Sequence, residues 1–324
     1  MYQFEISSNE AGQRFDKYLH KLLPKAPTSF FYKMLRKKNI VLNGKKAEGR
    51  EKLAVGDLVA LYLSQDTFES FCEDTKNEEY LKAYEKLKGI RVIFENEHMV
   101  LLQKPTGVLT QKATEKDCSL NEWLIGYLLK KQEVTSQSLS TYKPSVCNRL
   151  DRNTSGLVIC AKSLAGSQEL NRLIATREVR KFYRLFVKGS VSEEVVLEGY
   201  LEKDSERNQV KISSIRTSDK DSYVQTRYYP IRTLSDMTYA EVELITGKTH
   251  QIRAHMASSG HPLLGDYKYG DKTFNDKYQK KLGIKSQLLH AYRLEFPQNE
   301  LLFPDGEATF IAKEPPVYDK LLKG

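Results

Sequence analysis

The chain has 324 residues, 40% hydrophobic and 29% charged, which is apolar enough for a packed core and longer than one compact domain needs. That balance predicts a soluble globular protein rather than a wholly disordered one, and no stretch approaches the length of a membrane span. The net charge of +9 favours a polyanionic partner, nucleic acid before membrane, because lysines and arginines that bind phosphates release counterions.

Phe15, Tyr18, Leu19 and Leu22 recur at helical spacing and predict a helix that Pro24 and Pro27 close. Phe30, Phe31, Met34 and Leu35 predict a second amphipathic helix, whose other face carries Lys33, Arg36, Lys37 and Lys38. Ile40-Val41-Leu42 reads as a strand, Asn43-Gly44 as a hairpin turn, and Val55-Gly56-Asp57 as a turn before the strand Leu58–Leu61. A basic helix beside a small hairpin suits phosphate reading, although a merely solvated face is the plainer account of such charges.

Residues 1–63 are assigned to this first unit, which resembles the S-four-type (alpha-L) RNA-binding domain. The match rests on Arg14, Asp16, Lys17 and Leu19, then Lys33 through Lys37, Val41-Leu42-Asn43-Gly44 and Val55-Gly56-Asp57. Phe15 stands where that family more often has leucine, and the second helix lacks its usual Ser-Arg start. The resemblance implies RNA contacts at Lys17, Lys33, Arg36 and Lys37.

Residues 64–89 are polar and acid-rich and are expected to be a linker ending in a short helix around Tyr80–Lys88. A second domain, 90–324, begins with a predicted hairpin, Val92–Phe94 and Val100–Leu102, leading to Lys104-Pro105-Thr106-Gly107. Helices are predicted at Leu120–Lys130 and Leu164–Thr176, and strands near Leu157–Ala161, Tyr183–Val187, Val224–Tyr229 and Tyr239–Leu244. Runs of strand with scattered helices indicate an α+β fold rather than alternating βαβ units.

The cysteines Cys72, Cys118, Cys147 and Cys160 form no C-x-x-C pair and no zinc spacing, so reduced thiols in a cytoplasmic protein are expected, with no metal. The N-terminus carries no signal-peptide pattern.

Three segments of the second domain carry chemistry. Arg149-Leu150-Asp151-Arg152-Asn153-Thr154-Ser155-Gly156 sets one carboxylate between two arginines, before the buried-strand run Leu157–Ala161. Held by cations, such an acid is expected to be ionised at neutral pH and to serve as nucleophile or electrostatic anchor; the plainer reading is an ion-paired turn aspartate. The others are Lys181-Phe182-Tyr183-Arg184 and Thr246–His255, with Gly260–Asp266 behind the latter. Gly247-Lys248-Thr249 is not a P-loop, since Val242 occupies the required earlier glycine position. His250 and His255 lack zinc-protease spacing, and neither G-x-G-x-x-G before a helix nor G-x-S-x-G occurs.

Residues 90–300 resemble the RluA family of pseudouridine synthases. The resemblance is carried, in the family's order, by Asn148–Gly156, Lys181-Phe182-Tyr183, Gly247–His255 and Leu289-His290-Ala291, with Lys104–Gly107 similar to its first element. Asn148 replaces a family histidine and Lys248 a family arginine; the first is not the family's nucleophile, and the second keeps its charge but loses the bidentate fork.

The resemblance implies a mixed, mainly antiparallel catalytic sheet, with the N-terminal domain as a small α/β addition. It also implies isomerisation of a flipped uridine, without redox change and so without a cofactor. Asp151 is then the catalytic carboxylate, attacking sugar or base or abstracting a sugar proton. Arg253 pairs with Asp151, Tyr183 stacks on the uracil, and Leu289 closes its other side. Arg149 and Arg152 meet phosphates or fill the gap left by the base, and Lys248 grips the backbone. His250, Gln251 and His255 are read as packing residues. Ribosomal RNA is the expected substrate, transfer RNA the second, with the protein acting as a cytoplasmic monomer off the membrane. The rivals are an RNA-binding or assembly protein without catalysis and, disfavoured by the missing phosphate loop, a nucleotide hydrolase or kinase.

Overall fold

The computed structural model describes residues 1–72, 77–204 and 209–323. In the first unit β1 (Tyr2–Glu5) is followed by α1 (Phe15–Leu22), α2 (Thr28–Arg36), β2 (Ile40–Leu42), β3 (Lys45–Lys46) and β4 (Leu58–Leu61), with the strands ordered β1-β4-β2-β3. The helices fall where apolar spacing puts them: Phe15, Tyr18, Leu19 and Leu22 of α1 share a core with Phe31, Met34 and Leu35 of α2. Asn43 and Gly44 both take positive φ, 51° and 71°, as a tight hairpin turn requires. Only Phe4 of β1 is buried, so the strand left no apolar pattern to read. Lys17, Lys33, Arg36 and Lys37 are all exposed.

The stretch 64–89, expected to be a linker with one terminal helix, holds two helices, α3 (Gln65–Phe71) and α4 (Asn77–Lys86). The Ser64 hydroxyl caps α3 by accepting from the Thr67 amide. Phe68 stacks on Tyr2 with centroids 3.8 Å apart, and Phe71 meets Phe30 at 4.7 Å. Tyr84 of α4 packs on Trp123 at 5.4 Å. Isolated aromatics make these contacts, and isolated aromatics leave no periodic stripe in a polar, acidic composition.

The second unit opens with the expected hairpin, β5 (Arg91–Glu95) and β6 (Met99–Lys104). Next come α5 (Leu120–Lys130), α6 (Ser136–Thr141), β7 (Ser145–Val146), β8 (Ser155–Ala161) and α7 (Leu164–Ala175). Five strands follow: β9 (Arg180–Lys188), β10 (Val195–Asp204), β11 (Gln209–Ser213), β12 (Ser222–Thr233) and β13 (Met237–Leu244). The unit closes with α8 (Gln251–Ser258), α9 (Lys272–Leu282), β14 (Leu289–Phe296), β15 (Ala308–Ile311) and α10 (Pro316–Lys323). The strands form one 11-stranded sheet, ordered β11-β10-β12-β13-β9-β14-β8-β6-β5, with β15 on β14 and β7 on β8. It is antiparallel apart from the short parallel contact of β14 with β8, and the fold is α+β.

Strand β8 is buried along its whole length, which explains its continuous apolar run. Val158 and Cys160 face the α5 side with Trp123 and Leu124, while Leu157 and Ile159 face Leu170 and Leu173 of α7. At its start Gly156 has φ 114°, and an added Cβ would lie 2.2 Å from the Ala291 carbonyl oxygen of β14. Only glycine fits there. Gly156→Ala is expected to cost about 3 kcal/mol through strain and forced strand separation, read as a lowered urea midpoint; an unchanged midpoint would show that the two strands part easily.

The face of the sheet opposite α8 carries an ion-pair ladder. Arg180 reaches Glu243 and Glu295, each at 2.8 Å, and Glu241 forms an ion pair with Arg184 at 2.9 Å and accepts from Arg293 at 3.0 Å. The Arg180 and Arg293 guanidiniums lie 4.8 and 4.0 Å from the Phe182 ring centroid.

The first unit docks on the second through polar contacts. Buried Glu10 accepts from the Thr141 hydroxyl at 2.7 Å, and Asn9 Oδ1 from the Leu164 amide at 3.0 Å. All four cysteines are free. No helix among the described residues is long and apolar enough to cross a membrane.

Candidate active site

The octapeptide around Asp151 ends the loop between β7 and β8 and enters β8 at Ser155, and the fold clamps it at several points. The Thr110 hydroxyl donates to the Leu150 carbonyl at 2.8 Å and accepts from the Leu150 amide at 3.1 Å. The Gly107 amide donates to the Arg152 carbonyl at 2.9 Å. Lys104 is fully buried at the end of β6, and its ammonium donates to the carbonyls of Val108, Arg152 and Pro105 at 2.8, 3.0 and 3.2 Å. Burial pulls the Lys104 pKa down to about 7 while the Asp151 charge opposes that shift, and three carbonyl acceptors suit the three protons of the charged form.

Asp151 thereby projects into a cleft of about 710 Å³. Around it stand Arg149, Arg152, Lys181, Lys248, Arg253 and Lys268, and Asp151 is the one acidic residue among the described residues lining the cleft. Tyr183, on β9, and Leu289, at the start of β14, line the same cleft and are largely buried. Burial, then the nearby Asp151 charge, raises the Tyr183 hydroxyl above its ordinary range. Among the described residues no group of three or more His, Cys, Asp and Glu side chains is placed to hold a metal ion.

Arg253 sits in the first turns of α8, 8% exposed, and spans two acids. Its Nη1 donates to Asp151 Oδ2 at 2.9 Å, while Nε and Nη2 grip Asp266 Oδ2 and Oδ1 at 2.7 and 2.9 Å. Residues 102 positions apart thus meet as the sequence reading expects. Asp266 carried no assigned role there, yet it is the residue that aims Arg253. It is fully buried and also accepts from the amides of Lys268 and Tyr269 at 3.0 and 3.1 Å. Burial pushes the Asp266 carboxyl up, and the Arg253 guanidinium with these amides more than reverses it, so the pKa is lowered overall. The only sequence signal for Asp266 is a lone acid after Gly265 in an otherwise apolar turn.

The packing residues divide. Gln251 bridges Thr246, the Lys248 amide and β12, and His255 meets Thr226, so both hold α8 against the sheet. His250 instead lines the cleft, 3.8 Å from Asp151. Asn148, the departure from the family histidine, accepts from the Ile159 amide at 2.8 Å and so fixes the loop to β8. Lys248 is exposed at the rim.

A clamped, cation-paired carboxylate in a basic cleft is chemistry suited to a nucleophile or base meeting an anionic ligand. The RNA pseudouridylate synthase family pattern matches residues 98–258. The chain is 30% identical over 302 residues to the ribosomal large subunit pseudouridine synthase C of Haemophilus influenzae, covering 91% of this chain and 87% of that protein. It is likewise 30% identical over 310 residues to an uncharacterized RNA pseudouridine synthase of Mycoplasma genitalium, covering 92% and 90%. Human RNA pseudouridylate synthase domain containing 4 shares the fold, with TM-score 0.58 at 21% identity over 76% of this chain and 96% of that one. The chain belongs to the RluA-type RNA pseudouridine synthases and is an isomerase of RNA uridine.

Proposed function

We propose that this enzyme isomerises uridine in large-subunit ribosomal RNA in the cytoplasm, with Asp151 as its reacting carboxylate. The observation that carries the reading is a solitary acid, gripped by Arg253 at 2.9 Å, at the base of a cleft otherwise rich in cations. The relatives named as ribosomal large subunit synthases support the substrate class. Tyr183 stacks on the extruded uracil and Leu289 closes its other side, replacing the stacking lost on flipping. Arg149, Arg152 and Lys248 take the flanking phosphates.

The test is release of tritium from RNA labelled at uracil C5. The wild type is expected to release it from large-subunit ribosomal RNA. A wild type that binds ribosomal and transfer RNA but releases nothing from either would leave a binding protein; release from transfer RNA alone would reassign the substrate.

The first unit acts as an S-four-type grip on RNA through Lys17, Lys33, Arg36 and Lys37. All four are exposed, so neutralising them leaves the core intact. Lys33→Gln, Arg36→Gln and Lys37→Gln together are expected to weaken RNA binding at low salt. They should also flatten the dependence of log K on log salt by about 2, given a slope of ~0.7 per phosphate contact. An unchanged slope would remove the grip from this helix.

A further inference from the structure

His250 stands immediately before α8 with φ 55°, a left-handed conformation uncommon outside glycine, though histidine, asparagine and aspartate adopt it more readily than other residues. That backbone turns its imidazole into the cleft beside Asp151, where Nε2 lies 3.8 Å from Oδ2, too far for a direct hydrogen bond. The other ring nitrogen is spoken for. Nδ1 lies 2.9 Å from the Tyr269 hydroxyl, and that hydroxyl accepts from the Val210 amide of β11 at 3.0 Å. A phenol has one proton to give; the tautomer in which Nδ1 receives it is neutral and carries its own proton at Nε2. Burial lowers the His250 pKa below the ordinary imidazole range; Asp151 and Asp266 oppose that shift, Arg253 and Lys268 reinforce it, and the ring is neutral at pH 7.

The cleft therefore presents an N–H donor and a carboxylate acceptor side by side. One oxygen about 2.8 Å from each atom spans the gap. A carbonyl lacks the proton for Asp151, and a uracil N–H lacks the lone pair for His250, whereas a hydroxyl has both. On a nucleotide whose C1′ faces Asp151, the nearest hydroxyl is the ribose 2′-OH, one carbon from the bond being exchanged. We propose that His250 and Asp151 jointly bind the 2′-hydroxyl of the target nucleotide, His250 donating and Asp151 accepting, with Tyr269 as the positioning residue that sets the imidazole tautomer. The 2′-hydroxyl distinguishes RNA from DNA, so this pair makes the sugar a requirement of the site. The inference rests on the assignment of Asp151 above.

The test uses the full chain and a ribosomal RNA fragment carrying the position that the wild type modifies, with uridine or 2′-deoxyuridine at that position and tritium at C5. For the wild type, kcat/KM is expected to fall about ten- to a hundredfold on the 2′-deoxy target, the range for a hydrogen bond to a charged group. His250→Gly, which suits the left-handed backbone, is expected to lose a similar factor on the ribose target and little more on the 2′-deoxy one. Tyr269→Phe keeps a ring beneath Arg253, whose guanidinium lies 5.1 Å from the present ring, and is expected to lose part of the ribose preference by freeing the tautomer. His250→Asn, which tolerates the same φ and offers an amide donor, is expected to restore part of it. If the sugar and His250 losses multiply, or a water takes the gap and the active wild type is blind to the sugar, this proposal falls alone. A wild type inert on every RNA overturns it together with the reading of Asp151.

Discussion

Asp151→Asn is expected to abolish tritium release, a loss of about a thousandfold or more, while RNA affinity stays within about threefold of wild type. The substitution is nearly isosteric, and its amide oxygen still accepts from Arg253 Nη1, now 2.9 Å from Oδ2. What disappears is the negative charge, and with it every route the carboxylate offers: attack on the sugar, attack on the base, or removal of a sugar proton. The clamps on the loop come from Thr110, Gly107 and Lys104 and do not involve the Asp151 side chain, so the fold should survive. Urea unfolding within about 1 kcal/mol of wild type would establish that. Release retained at a tenth of the wild-type rate would mean that some other group reacts.

The second large effect is on stability as well as rate. Arg253→Met strips the guanidinium from two acids at once, and fully buried Asp266 is left without its counter-charge. Breaking a buried pair in this way costs about 3–5 kcal/mol. The pH dependence follows from the lowered Asp266 pKa. A carboxyl depressed in the folded state contributes stability that is fully present above its unfolded value, near 3.9, and lost as pH falls through the folded value. Without Arg253, burial of Asp266 is opposed chiefly by the Lys268 and Tyr269 amides, the folded pKa rises, and acid unfolding is expected to begin at higher pH. Arg253→Met combined with Asp266→Asn should recover much of the stability and none of the activity. A single variant as stable as wild type would show that Asp266 finds other partners.

The parts of this site that were legible in the sequence are those tied to short local patterns. Asp151 lies in a turn before a buried strand, Arg253 on a helix after a strand, and Tyr183 on an apolar strand; each sits in a short motif, and the resemblance carried by the motifs together pointed to these residues. Asp266 and Tyr269 could not, because their importance comes from a loop folding back beneath α8, and no periodicity records such a return. The place of His250 beside Asp151 was hidden for a related reason: its left-handed φ, which turns the ring toward Asp151, is set by the loop around it. Strands β6, β8 and β9 are apolar enough to be read directly. Strands β10 and β11 alternate weakly at the sheet edge, and β1 buries a single side chain, so their pairing emerges only once the partner strands are in place.

The arginine–glutamate ladder behind the sheet bears on how a polyanion finds this enzyme. Arg180, Arg184 and Arg293 are already matched by Glu241, Glu243 and Glu295. Cations neutralised from within have little left to offer an approaching strand, whereas those around Asp151 lack an equal number of acids. The two sides of one sheet thus differ in the charge they leave unspent. That imbalance favours the mouth of the cleft over its back as the place where a polyanion settles.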